Sequence, residues 1–187
     1  MGSMYNRDVW PQVHHWALAP FANAEVYQVT LTDGTTAYLR PDDGSALLLP
    51  ELIARGVLTP SALAKRDGWL LLSEVAGTPA SDAKWRVHPD SLTRLLAAAW
   101  QALQSAEVSH GDLTLPNVLG DLATGTLTGI VDWGDGALAP RPQVDMTCLA
   151  WSLAYNHYEP IVGLALLRMV GWSPADESEL ARLRALY

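Results

Sequence analysis

Apolar positions follow two rhythms along this chain. Up to about residue 75 the period is two. Residues 25–31 alternate β-branched or aromatic side chains with polar ones, which predicts a strand. Asp33-Gly34 follows as a hairpin turn, and residues 36–40 run back as its partner. Asp42-Asp43-Gly44-Ser45 breaks the pattern. Residues 46–54 then predict a short apolar helix, interrupted by Pro50 and closed at Gly56. Asp67-Gly68 is a second hairpin turn that feeds a strand over 69–75. Residues 76–79, Ala-Gly-Thr-Pro, read as a hinge.

Past the hinge the period becomes helical. Leu92, Leu95, Leu96, Ala99 and Leu103 share one face, with Asp90 or Ser91 as the cap. A short strand is predicted over 127–131, a helix over 145–155, and a last helix from Ser173-Pro174. Trp151, close to the Leu149 and Leu153 face, is expected in the core. The order predicts an α+β fold of two lobes, a small antiparallel sheet over residues 1–76 and a mostly helical body over 77–187.

Composition narrows the function classes. A chain of 187 residues that is 49% hydrophobic and 17% charged can bury a core without staples and is not a disordered protein. Twelve basic residues against 20 acidic ones give a net charge of −8, which disfavours a nucleic-acid binder. No apolar run reaches the length of a membrane span, and with Asn6, Arg7 and Asp8 in place of an apolar stretch no signal peptide is expected. With a single cysteine, Cys148, a cytoplasmic location is expected. His14-His15 is adjacent rather than helically spaced, so no zinc site is expected. Asp42-Asp43, Glu159 and the acidic residues of 176–179 suit either a cationic acceptor or a solvated surface.

The chemistry concentrates in His110-Gly111-Asp112-Leu113-Thr114-Leu115-Pro116-Asn117, followed by Asp132-Trp133-Gly134. The spacing is that of His-x-Asp-Leu-x-x-x-Asn and Asp-x-Gly in kinases. Phosphate charge requires magnesium, which takes hard oxygen ligands such as the Asn117 amide and the Asp132 carboxylate. Asp112 is then left to accept the proton of an attacking hydroxyl.

These residues, with Gly129-Ile130-Val131 leading into Asp132, resemble the aminoglycoside phosphotransferases and their relatives. Gly111 stands where protein kinases usually have Arg. Residues 22–27 resemble the nucleotide-positioning loop of that family, Tyr38-Leu39-Arg40 its nucleotide-binding strand, and Asp145 the Asp that opens its next helix. The resemblance implies a protein-kinase-like fold, Asp112 as catalytic base and Asn117 with Asp132 as Mg²⁺ ligands. It implies an ATP or GTP site formed by Arg40 with Ser73, Glu74, Val75 and Ala76, and a structural role for His110. The expected activity is transfer of a γ-phosphate to a hydroxyl of a small molecule such as an aminated sugar.

Three departures from the family stand out. Arg40 replaces the family lysine, and Lys65 sits beside a hairpin turn rather than in its place. Glu51 is the only glutamate in the short helix that could pair with that cation. Only residues 79–109 fill the stretch where the family carries a helical insert. They motivate an alternative, a catalytically weak or inactive pseudokinase acting as a binding or regulatory module. A homodimer completing the acceptor site is a further option.

Overall fold

The computed structural model describes residues 10–19, 25–158, 162, 165, 166 and 171. The expected helix from Ser173, residues 22–24 of the nucleotide loop, Glu159 and residues 176–179 lie outside the described residues.

Five antiparallel strands form the first sheet: β1 (Val13–Leu18), β2 (Tyr27–Leu31), β3 (Thr36–Pro41), β4 (Ala62–Arg66) and β5 (Trp69–Ser73), in the spatial order β1-β2-β3-β5-β4. Both expected hairpins form. At the second, Asp67 and Gly68 both take positive φ, 50° and 78°, the geometry that matches the twist of flanking strands. Strand β1 adds an edge that the apolar rhythm does not predict. Its side chains are mostly exposed and only Val13 is buried, so the edge of the sheet leaves little apolar rhythm.

Strand β5 is buried on both faces, which explains its unbroken Leu70-Leu71-Leu72. Leu71 packs with Trp10, Val29, Ala37 and Leu39 on one side of the sheet. Leu70 and Leu72 point the other way, into the main core with Leu49 and Leu52 of helix α1 (Ser45–Ala54). That helix runs through Pro50 rather than breaking there. Its burial of Leu49 and Leu52 outweighs the single backbone bond that proline forgoes.

Beyond β5 the chain builds a second sheet from β6 (Thr78–Pro79), β7 (Val118–Gly120) and β8 (Leu127–Ile130), ordered β6-β7-β8. Half of the expected hinge is therefore a short strand, paired through Thr78 and Pro79 to Gly120 and Leu119. Helix α2 (Pro89–Ala106) buries Leu92, Leu95, Leu96, Ala99 and Leu103 at the expected spacing. It starts at Pro89, with His88 at the cap position instead of Asp90 or Ser91. Helix α3 (Pro142–Tyr155) starts three residues before Asp145, again on a proline in its first turn.

Trp151 departs from expectation. It is 41% exposed and stacks on Tyr155, with ring centroids 5.2 Å apart, while Leu149 and Leu153 on the neighbouring face are buried. Its position in the helix falls just off the inward stripe. Among the described residues, no helix is long and apolar enough to cross a membrane, and no group of three or more His, Cys, Asp or Glu side chains is arranged to hold a metal.

Candidate active site

The loop over 110–117 lies between α2 and β7 and is held from three sides. Asp145, fully buried in the first turn of α3, accepts hydrogen bonds at Oδ1 from the backbone N–H of Gly111 (2.8 Å) and His110 (3.1 Å). Its Oδ2 lies 3.2 Å from the same His110 nitrogen. One helical turn further, Cys148 Sγ sits 3.6 Å from the Gly111 carbonyl. A turn beyond that, Ser152 Oγ accepts from the Leu115 N–H (3.0 Å). One stripe of α3 thus fixes the loop.

His110 is buried, and its ring links the two halves of the motif. Nε2 donates to the Val131 carbonyl (2.8 Å), which leaves Nδ1 to accept from the Asp112 N–H (3.3 Å). Burial holds its pKa below the ordinary histidine value, against the pull of the nearby carboxylates, so the neutral ring is favoured. The Val131 N–H donates in turn to the Asn117 carbonyl (2.9 Å). Val131 is thereby clamped between His110 and Asn117, and Asp132 is delivered beside the loop. Trp133 is buried, donates from its indole to the Ile130 carbonyl (2.9 Å), and packs on His110 at 4.6 Å between ring centroids. It supports the site from beneath.

Glycine at 111 has a structural cause. Its φ is +83°, and a Cβ there would run into the Asp135 backbone, 2.9 Å from the carbonyl carbon. Asp135 is itself held by Arg141, whose Nη2 donates to the Asp135 carbonyl (2.8 Å) while Nε donates to Ser109 Oγ (3.0 Å). The roles of Arg141 and Ser109 depend on backbone geometry that leaves no motif in the sequence.

Within the loop, Asn117 Nδ2 donates to the Asp112 carbonyl (2.9 Å) and to its Oδ2 (3.1 Å), and lies 3.2 Å from Thr114 Oγ1. The amide nitrogen is fully engaged, and Oδ1 accepts no hydrogen bond among the described residues. Asp132 takes φ +64°, a strained backbone for a residue other than glycine. Arg40 Nη1 donates to Asp132 Oδ1 (2.7 Å), and Oδ2 accepts no hydrogen bond among the described residues. Asn117 Oδ1 and Asp132 Oδ2 are thus two hard, uncommitted oxygens, a donor set that suits magnesium retaining waters and phosphate oxygens. Asp112 is half-buried. Burial, with the charges of Asp132 and Asp135 added, pushes its carboxyl above the ordinary aspartate value against the opposing effects of His110 and Asn117.

Arg40 on β3 reaches across to this group, so the structure brings Arg40, Asp112, Asn117 and Asp132 together. The same is only partly true of residues 73–76. The Ser73 N–H already donates to the Ser61 carbonyl (2.9 Å), inside the sheet. Glu74, Val75 and Ala76 lie beyond the strand, and none of the turn and loop backbone hydrogen bonds among the described residues uses them. Lys65 is excluded for a reason other than distance. It shares a row of the sheet with Arg40, both registering on Leu70, but its ammonium is paired with Asp42. Glu51 is exposed on α1.

A small antiparallel sheet and a helical body, meeting at a His-Gly-Asp loop and an Asp-x-Gly turn, define a two-lobed protein-kinase-like fold of the α+β class. The profile of the phosphotransferase enzyme family matches residues 58–186, and the chain belongs to that family. Solved structures agree on the fold. An aminoglycoside-3′-phosphotransferase of type VIII superposes with a TM-score of 0.71 at 21% identity, covering 92% of each chain. The aminoglycoside phosphotransferase APH(3″)-Id from Streptomyces rimosus, in complex with ADP and streptomycin, gives 0.56 at 19% identity, covering 90% of this chain and 92% of that one. The macrolide 2′-phosphotransferase MphH from Brachybacterium faecium gives 0.53 at 12% identity, covering 86% and 78%. A search of the curated proteins finds no match.

Proposed function

We propose that this chain is an ATP- and Mg²⁺-dependent phosphotransferase that moves the γ-phosphate to a hydroxyl of a small molecule, with an aminated sugar of the aminoglycoside kind as acceptor. The observation that carries the reading is the convergence of Asp112, Asn117, Asp132 and Arg40 from three separate segments onto one place. The neighbour in complex with ADP and streptomycin supports a nucleotide and an aminated sugar as the pair of substrates. GTP would fit the same backbone-lined segment.

In this reading residues 1–76 form the nucleotide lobe and 77–187 the catalytic lobe of a cytoplasmic enzyme. The main chain of Glu74 to Ala76 meets the purine, with Ser73 at the start of the segment. Arg40 lies against the phosphates, where its planar fork can contact two oxygens at once. Asn117 Oδ1 and Asp132 Oδ2 would hold magnesium, which when bound neutralises phosphate charge. Asp112 aligns the acceptor hydroxyl and takes its proton as the oxygen bonds to the γ-phosphorus and the bond to the β-phosphate oxygen breaks, releasing the nucleoside diphosphate. The raised Asp112 pKa makes it a better proton acceptor than an exposed aspartate.

The test is phosphate transfer from ATP or GTP to a panel of hydroxyl compounds that includes aminoglycosides. Asp112→Asn should lower kcat by about 10²–10⁴-fold while leaving the nucleotide-induced rise in Tm intact. Nucleotide binding without transfer to any acceptor would instead favour the pseudokinase reading that Arg40 motivates. Absence of both would refute the phosphotransferase reading.

A further inference from the structure

We propose that Asp43 is the positioning residue for Arg40, filling the place expected of Glu51 on the first helix; this rests on the nucleotide-binding reading above. Arg40 has two carboxylate partners. Nη1 donates to Asp132 across the lobes, and Nη2 donates to Asp43 Oδ2, three residues along the same chain segment. Asp132 is also a candidate magnesium ligand, so its oxygens have a second claim on them. Asp43 has none. Its other oxygen, Oδ1, accepts from the Ser45 N–H (3.1 Å) at the start of α1, which fixes the carboxylate on the nucleotide lobe.

Two further observations single out Asp43. The adjacent Asp42 is committed elsewhere, to Lys65 and to the Gly44 N–H (3.0 Å), so the two aspartates divide the two cations between them. The carboxylate also lies directly over Gly134 of the Asp-x-Gly turn. A Cβ on Gly134 would collide with it, and the three heavy atoms nearest that Cβ all belong to Asp43, with Cγ at 3.2 Å. Gly134 therefore leaves room for Asp43, and Asp43 links β3, α1 and the turn that carries Asp132.

The choice of arginine follows. A guanidinium presents five donors in a planar fork and can face two carboxylates at once, whereas an ammonium is a single point. With Asp43 close by on a loop, rather than a glutamate on a helix, the longer and forked side chain is the one that fits. Asp43 then holds the guanidinium in line with the phosphates of a nucleoside triphosphate.

The experiment measures MgATP binding to the intact chain by calorimetry. Asp43→Asn keeps the size of the side chain and an acceptor for Ser45 but removes the charge. It should raise Kd about tenfold, with Tm within about 2 °C of wild type. Arg40→Met should give a similar loss, and the double variant no more than either alone. In turnover, KM for ATP should rise while kcat changes less. Glu51→Gln should bind as wild type. Wild-type affinity in Asp43→Asn, losses that multiply in the double variant, or an equal loss in Glu51→Gln would each overturn the proposal. No MgATP binding by the wild-type chain would refute the nucleotide reading. A thermal-unfolding cycle without nucleotide separates the two failures. Non-additive Tm changes for Arg40 and Asp43 support the pair, and additive ones overturn it.

Discussion

Replacement of Asp145 tests the idea that one stripe of α3 positions the catalytic loop. Its Oδ1 accepts from both Gly111 N–H and His110 N–H, and the residue is fully buried. Alanine would leave two buried donors without a partner, at about 1–3 kcal/mol each. Part of that cost is returned, because a buried charge is also removed. Burial raises the Asp145 pKa despite the backbone hydrogen bonds from Gly111 and His110 that oppose it. The expected net loss for Asp145→Ala is about 3 kcal/mol. Asparagine can place its oxygen where Oδ1 now sits and keep both bonds. Its Nδ2 would replace Oδ2, 3.2 Å from the His110 nitrogen, and face a donor with a donor. Asp145→Asn should therefore cost about 1–2 kcal/mol. Urea unfolding at constant m-value measures both. Because Asp112 follows directly on the two anchored amides, kcat should fall in both variants more than nucleotide affinity does. A loss below about 0.5 kcal/mol for alanine, which is the ordinary range for a surface change, would refute the anchoring role. So would an asparagine variant less stable than the alanine one.

Burial of His110 makes stability depend on pH. Its folded pKa lies below the ordinary value of 6.5, so in the window under about pH 6.5 the unfolded chain binds a proton that the folded one refuses. Stability should then fall as pH drops from about 6.5 through the folded pKa, with a slope approaching about 1.4 kcal/mol per pH unit. Asp112 and Asp145, both raised, act in the opposite sense, losing stability as pH rises from near 4. Comparing urea unfolding of wild type and His110→Asn between pH 7.5 and 5.5 isolates the histidine; equal slopes would refute its neutral, buried state. Gly111→Ala combines a left-handed backbone with a collision against Asp135. It should cost about 2 kcal/mol in unfolding and lower kcat with little change in nucleotide Kd. An alanine variant with wild-type turnover would show that the loop tolerates a shift of Asp135.

The parts of the site legible in sequence are those whose chemistry demands neighbours in the chain. Asp112 and Asn117 share one tight loop, and Asp132 needs only a short strand before its turn, so spacing reveals all three. The same holds for α2, where one buried stripe sets the period, and for the hairpin at Asp67-Gly68, where positive φ selects the residues. Positions chosen by register or by a gap between segments left no such trace. Asp43 reads as part of a polar break until β3 is seen to aim Arg40 at it. Ser73 reads as part of an adenine-facing segment until Ser61, just before β4, is seen to accept its amide. Trp151 lies only a fraction of a helical turn from the buried stripe, a difference that hydrophobicity does not encode.

The net charge of −8 also acquires a more specific meaning around the site. Asp42 is balanced by Lys65, Asp43 and Asp132 by Arg40, and Asp145 by two backbone amides. Asp112 differs from these. Its carboxylate has a neutral amide, Asn117, as hydrogen-bond partner and forms no ion pair among the described residues. A cation beside it would lower its pKa and weaken it as a base. The fold instead half-buries Asp112 and places the charges of Asp132 and Asp135 near it, which favours the protonated form. Arg40, whose fork is taken up by Asp43 and Asp132, forms no ion pair with Asp112 among the described residues. On the phosphotransferase reading proposed above, the arrangement that would aim a cation at the nucleotide also preserves the basicity of the carboxylate proposed to accept the proton.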